Sequence, residues 1–220
     1  MKKFLGFTLA EVLVTLGIIG VVSAMTVPTL VQNYQRETYV TQLHKVYSEL
    51  SQAVTRAIAD CNAISLDETK YSANRANSSA LFLRDYFKIA NNCGTNLTPC
   101  FADSYQTING DDFEMNINGT TPIVAVVLAS GSAIASFEEY DRGDNFDYHG
   151  FYQMYVDING QKGPNVLGRD LFYIEVYSDG VVGESHEIRD VSYLSCGGNT
   201  SSYGVGCLSK IIDNGWKMDY

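Results

Sequence analysis

The chain has 220 residues and a formal net charge of −10, with 25 Asp and Glu against 15 Lys and Arg. This length accommodates one ordinary domain together with a long anchor helix. Such an acidic composition disfavours direct nucleic-acid binding, which depends on cations that neutralise phosphates. One Trp against 15 Tyr, with abundant Ser, Asn and Gly, suits an exported β-rich protein better than a cytosolic enzyme.

The first element is an apolar segment behind a short basic head. Lys2 and Lys3 precede a run from Phe7 to Val27 whose only formal charge is Glu11. A helix of that length, roughly 30 Å, crosses a bilayer. A carboxylate inside it costs about 2.5–3.5 kcal/mol on insertion scales, so Glu11 indicates a function and requires a partner.

The candidate partner of Glu11 is an amine that appears only after proteolysis. A cut after Gly6 frees an α-amino group on Phe7, which is largely cationic at neutral pH. Phe7 and Glu11 are neighbours at i and i+4 within one helix. In an assembly, Glu11 of one subunit would instead meet Phe7 of the next. Either pairing offsets the cost of the buried charge.

The segment from Lys2 to Leu13, KKFLGFTLAEVL, resembles the prepilin leader of type IV pilins and type II secretion pseudopilins. The resemblance implies that a membrane-embedded aspartyl peptidase cuts after Gly6 and N-methylates Phe7. It also implies that Glu11, five residues into the mature chain, governs subunit registration during filament assembly.

Three further positions match ones that are frequent in that family, and the resemblance fades after them. Gly17 and Gly20 form a small-residue face that lets helices approach closely, although glycines are common in membrane helices in general. Pro28 is expected to bend the helix without ending it.

Three other interpretations of the apolar segment compete with the prepilin one. A secretory signal peptide would end in small residues such as Val22-Ser23-Ala24, but it gains nothing from Glu11. A plain transmembrane anchor does not require the pattern around Gly6. A buried soluble helix is disfavoured because the run is apolar on all sides.

A second helical stripe follows Pro28, and strand-like runs follow the stripe. The apolar residues of this stripe recur in steps of three and four, which is typical of a helix. The stripe and the first apolar segment together predict one helix of roughly 55 residues. These residues are Val40, Leu43, Tyr47, Leu50, Val54, Ala57 and Cys61. A short helix within 78–89 and strands at 113–117, 123–128, 133–137, 151–158 and 171–177 come next, with the clearest hairpin across Ala129-Ser130-Gly131-Ser132.

A long helix followed by antiparallel strands predicts an α+β fold, in which the helix packs against an antiparallel sheet as in pilins. We expect four segments: a leader at 1–6, the membrane and assembly half of the helix at 7–28, its packing half at 29–61, and the α+β head at 62–220. The positive-inside rule keeps the basic leader cytoplasmic, so that the head lies in the periplasm.

Five cysteines follow the membrane segment, without C-x-x-C or zinc-site spacing. Cys93 and Cys100 form one close pair and Cys196 and Cys207 another, and disulfides between them fit an oxidising compartment. Cys61 is the fifth cysteine, and it is either a buried free thiol or a competitor for one of these pairings.

One loop of the head invites a metal interpretation. Asp157, Asn159, Asn165 and Asp170 offer oxygen ligands for Ca²⁺, and the pilin resemblance lends support because some pseudopilins bind calcium. The spacing departs from an EF-hand, and a connection built from Asn-Gly and Gly-Pro turns is the interpretation that we prefer.

No other cluster predicts chemistry. The acidic run from Glu138 to Asp147, with His149 behind it, is typical of a solvated surface. Catalytic motifs such as Gly-x-Ser-x-Gly and His-Glu-x-x-His do not occur, so we expect no enzyme and no required cofactor. Trp216 is expected to anchor the C-terminal tail on the sheet.

The sequence therefore predicts a structural subunit of a type IV pilus or type II secretion pseudopilus. Its expected partners are copies of itself, other pilin-like subunits, the prepilin peptidase and an inner-membrane assembly platform. The alternatives are a minor pilin in DNA uptake or adhesion, where other subunits contact the DNA, and a membrane-tethered binding protein that never polymerises.

Overall fold

The computed structural model describes residues 8–72, 75–115, 121–138, 150–184, 196 and 206–220. The chain divides into two compact units, residues 1–38 and 39–220. Helix α1, Leu9–Asp60, begins in the first unit, ends in the second and has Pro28 inside it. One continuous helix over both predicted halves agrees with the sequence pattern.

The first unit exposes apolar surface. From Leu9 to Val31 the large hydrophobic side chains of α1 are exposed, Leu30 to 71%. Within the described residues, α1 is long and apolar enough to cross a membrane by its length and composition. Such a surface needs lipid or other helices to cover it.

The second unit begins with the part of α1 that has a buried stripe. The stripe follows the predicted spacing, with Val46 and Ala53 as additional members and with Tyr47 and Cys61 only partly buried. Burial in steps of three and four means that one helical face packs on the head while the others stay in solvent. The buried residues are Val40, Leu43, Val46, Leu50, Ala53, Val54 and Ala57.

A six-stranded antiparallel sheet forms the centre of the second unit, in the order β1-β4-β5-β6-β7-β8. A two-stranded sheet of β2 and β3 accompanies it, and a 3₁₀ turn, Leu66–Glu68, follows α1. The remaining elements are α2 (Ser78–Tyr86), β1 (Ile89–Gly94), β2 (Tyr105–Gln106), β3 (Asp112–Phe113), β4 (Val124–Leu128), β5 (Ala133–Glu138), β6 (Gly150–Asp157), β7 (Leu171–Tyr177), β8 (Val182–Gly183) and α3 (Cys207–Asp213).

The predicted hairpin is confirmed, with Val127 paired to Ala133 across the turn. Gly131 has φ +93°, a backbone conformation that favours glycine. The short helix predicted within 78–89 is confirmed as α2, which ends at Tyr86 because Phe87 adopts extended backbone and Ile89 starts β1. Of the predicted strand at 113–117, only Phe113 lies in a strand among the described residues, and 116–120 lie outside them.

Both faces of the sheet are buried, which the sequence pattern did not predict. On one face, Ile134, Met154 and Ile174 pack with α1 and α2. On the other face, residues such as Phe137 and Tyr155 pack under the segment that contains Phe101 and Tyr105. Alternate residues of each central strand serve the two cores, so the sheet is the middle layer of the head.

Candidate assembly and processing site

The functional part of the first unit is the N-terminal turn of α1. Thr8 precedes the helix, and its carbonyl accepts the first helical hydrogen bond from Val12 N–H at 3.2 Å. Thr8 N–H and Thr8 Oγ1–H both donate to Glu11 Oε2 at 2.8 Å, and Glu11 N–H donates to Thr8 Oγ1 at 3.3 Å. This is a reciprocal capping box, in which the acid satisfies donors at the positive end of the helix.

The capping box uses only part of the carboxylate. In the described residues Glu11 Oε1 accepts no hydrogen bond, so this oxygen is open to a further donor. Gly6 and Phe7, the predicted cleavage and methylation positions, lie outside the described residues. The pairing of Phe7 with Glu11 therefore stays a prediction.

Gly17, Gly20 and Pro28 all lie within α1. A methyl group built on either glycine meets no atom of the described residues within 4 Å, so neither glycine is required for packing within that part of the chain. Their predicted role, close approach to another helix, stays a prediction.

Of the four predicted metal ligands, Asp157 is the last residue of β6, and Asn159, Asn165 and Asp170 lie in the connection between β6 and β7. Asp170 accepts hydrogen bonds from Asn165 N–H at 2.8 Å, Val166 N–H at 2.6 Å and the Asn159 amide at 3.4 Å. Asp157 accepts from Tyr105 O–H at 2.6 Å and from Asn159 N–H at 3.0 Å. Both carboxylates are fully buried, and their hydrogen-bond donors come from this connection and from Tyr105.

Burial raises the pKa of Asp157 to about 7, although the hydrogen bonds from Tyr105 and Asn159 oppose this change. Burial also raises the pKa of Asp170, again against hydrogen bonds from backbone N–H groups. Desolvation penalises the charged form, and the neighbouring carboxylate adds to that penalty at Asp157. The loop thus keeps two acids in an environment that resists a second negative charge.

Two amide oxygens of this loop suit a hard cation such as Ca²⁺. Asn159 Oδ1 and Asn165 Oδ1 are buried and accept no hydrogen bond from the described residues, as expected of carbonyl oxygens that are available to a hard cation. Asp157 and Asp170 would add two carboxylates to these oxygens. Across the described residues, no group of three or more His, Cys, Asp or Glu is arranged to hold a metal ion.

The two disulfides and the C-terminal tail are further features of the head. Cys93–Cys100 and Cys196–Cys207 are both bonded, and Cys61 is a half-buried free thiol. Trp216 is partly buried and packs against the core that α1 shares with the sheet. Its ring lies edge-on against His44 and Tyr47 of α1.

Glu184 is a buried carboxylate that no sequence motif pointed to. It is 2% exposed and accepts hydrogen bonds from Leu208 N–H at 3.0 Å and Ser209 N–H at 2.9 Å. These groups belong to the first turn of α3, so Glu184 joins the sheet to the tail. Burial raises the pKa of Glu184 as well. The acidic run behind Glu138, with His149, lies outside the described residues.

The N-terminal segment of the chain, which includes the first turn of α1, is similar to a segment of known proteins. Residues 1–27 match the family model described as the prokaryotic N-terminal methylation motif. No curated protein and no solved structure matches the chain.

This motif is the prepilin signature of type IV pilins and pseudopilins. The chain carries that signature at the start of a helix that is followed by an α+β head of pilin-like architecture, and within the described residues this helix is long and apolar enough to cross a membrane. The motif is typical of structural proteins rather than enzymes, and it implies processing by a prepilin peptidase and assembly with other pilins.

Proposed function

We propose that this protein is a structural subunit of a type IV pilus or type II secretion pseudopilus. The observation that carries the proposal is the methylation motif at 1–27, placed at the start of a helix whose apolar surface is exposed. Cleavage after Gly6 leaves Phe7 as the N-terminal residue, next to a capping box in which one Glu11 oxygen is open. An amine of the same or a neighbouring subunit supplies the missing donor.

In this proposal the protein is inserted in the inner membrane with its head in the periplasm. An assembly platform then extracts it into a filament held together by α1. The disulfide Cys93–Cys100 supports an oxidising location for the head. The acidic head sets the filament surface.

Mass spectrometry of the purified native protein tests this proposal. The expected N-terminal peptide begins at N-methyl-Phe7. An intact Met1, or a cut near Ala24, contradicts the proposal and favours a plain anchor or a secretory signal peptide. A correctly processed protein that never enters filaments identifies the alternative, a membrane-tethered binding protein. A filament present only in cells that take up DNA or adhere points to a minor pilin.

We propose further that the β6–β7 connection accepts Ca²⁺, held by oxygens of Asp157, Asn159, Asn165 and Asp170. Bound calcium would neutralise two buried carboxylates and use the two amide oxygens that lack donors. Isothermal titration of the chelator-treated full chain in detergent, with an Asp170→Asn control, measures this binding. A heat signal in the parent that the variant loses supports calcium; no heat in the parent leaves the connection as hydrogen-bonded turns.

A further inference from the structure

The second unit contains a basic groove on a chain that is otherwise strongly acidic. The groove has a volume of about 450 Å³ and lies between α1, the start of β1 and the β4–β5 turn. Lys45, Arg56 and Lys88 line it together with a single acid, Glu49. A chain with a net charge of −10 has thus placed three cations around one depression.

Two of these cations are free to bind an anion. Lys45 is already within 4.0 Å of Glu49 on the same helix. Arg56 and Lys88 are exposed, and neither forms an ion pair with any residue that the structure describes. Lys88 is fixed in place because its carbonyl accepts a hydrogen bond from Ala129 N–H at 2.8 Å. Groove walls of Tyr86, Phe87 and Leu128 add apolar contact area.

The most acidic stretch of the chain follows the end of β5 that is farther from the groove. Residues 138–147 contain five Asp and Glu and one Arg, and they connect β5 to β6. Strand β5 runs from the groove end at Ala133 to Glu138, a span of about 17 Å. The connection therefore leaves β5 about 17 Å from the groove end of that strand.

We propose that the basic groove binds the acidic β5–β6 connection of a neighbouring copy of this chain. Opposite charges on two different segments of one chain allow a heterologous contact between copies, and a heterologous contact that does not close generates a helical filament. The inference rests on the proposed function, because polymerisation through α1 brings successive heads together. Its electrostatic part weakens with salt, since exposed charges are screened beyond about 8 Å at 0.15 M ionic strength.

Photocrosslinking in filaments made by the full chain tests this contact. The photoreactive residue p-benzoylphenylalanine replaces Gln52, which lines the groove, or Thr55, an exposed control on the same helix outside it. The expected result is a homodimer from the Gln52 position whose crosslinked peptide contains residues 138–147, with none from Thr55. Filaments without this adduct, or an adduct to another protein or segment, overturn the proposal. If the parent forms no filaments at all, the proposed function itself fails.

A charge swap provides the second test. The double variant Arg56→Glu/Lys88→Glu is expected to lower sheared-filament yield at least about fivefold, because attraction becomes repulsion. Adding Glu139→Lys and Asp141→Lys to the same chain is expected to restore it to within about twofold. The control Arg75→Glu/Lys217→Glu makes the same change of charge at exposed residues outside the groove. An undiminished yield from the groove variant, or no recovery after the swap, contradicts the proposal.

Discussion

The two units of this protein differ in whether their apolar side chains and carboxylates are exposed or buried. In the first unit the apolar side chains are outside, and Glu11 is exposed within a capping box that leaves one oxygen open. In the second unit the apolar side chains are inside, and Asp157, Asp170 and Glu184 are buried among N–H and O–H donors. The exposed apolar surface of the first unit needs lipid or other helices to cover it, whereas the second unit buries its own apolar side chains.

The largest expected loss of stability distinguishes two Leu→Ala truncations in α1, one in each unit. Leu50 is 0% exposed and Leu30 is 71% exposed. We expect Leu50→Ala to lower the free energy of unfolding of the head by about 2–5 kcal/mol, because it leaves a cavity in a packed core. Leu30→Ala should leave that free energy unchanged. Chemical denaturation in detergent, followed by near-ultraviolet circular dichroism, measures both, and equal losses would remove the distinction between the units.

Loss of a disulfide should affect only the head. Replacing both Cys93 and Cys100 by Ser should cost about 2–3 kcal/mol of unfolding free energy, because the bond closes a short loop of the unfolded chain. The control Cys61→Ser changes a free thiol at the end of α1. Denaturation of the oxidised proteins compares them. A Cys61→Ser variant that loses as much stability as the double variant would show that the bond is not the cause.

The buried acids predict that the head becomes less stable as pH rises. The pKa of Asp157 is about 7 in the folded head and is lower when the chain is unfolded. The contribution of Asp157 to the free energy of unfolding is fully present at low pH and is lost as pH rises through 7. The loss amounts to about 2 kcal/mol between pH 5 and 7. Thermal unfolding in calcium-free buffer should show this fall in the parent and a smaller one in Asp157→Asn. A parent Tm that rises over this range would contradict the assignment.

The smallest effect should come from the N-terminal cap. Thr8→Ala removes the hydroxyl that donates to Glu11 and accepts its N–H, at a cost of about 1 kcal/mol in the first turn. Thr8→Ser keeps the hydroxyl and serves as the control. Hydrogen exchange of the first-turn amides of micelle-bound protein should rise several-fold in Thr8→Ala only. Equal exchange in all three proteins would mean that the box does not hold the turn.

The sequence predicted α1 and the main antiparallel strands well, because their periodic patterns directly reflect burial. It missed β1, whose Asn-Asn-Cys-Gly run lacks strand residues and is ordered by pairing with β4. It also missed the second core under the Cys93–Cys100 segment, since contacts distant in sequence leave no local period. The capping box has a signal in the sequence, the pattern Thr-x-x-Glu that begins at Thr8. The partners of Glu184 have no such signal, because only folding brings α3 to the sheet.

The most direct test of the central claim is a competition between two copies of this chain in one cell. Parent and Glu11→Ala proteins, distinguished by mass, are expressed equally, and their ratio is measured in membranes and in sheared filaments. The account predicts equal or better membrane insertion of Glu11→Ala, with at least about tenfold enrichment of the parent in filaments. An unchanged ratio in filaments would contradict the role of Glu11 in assembly.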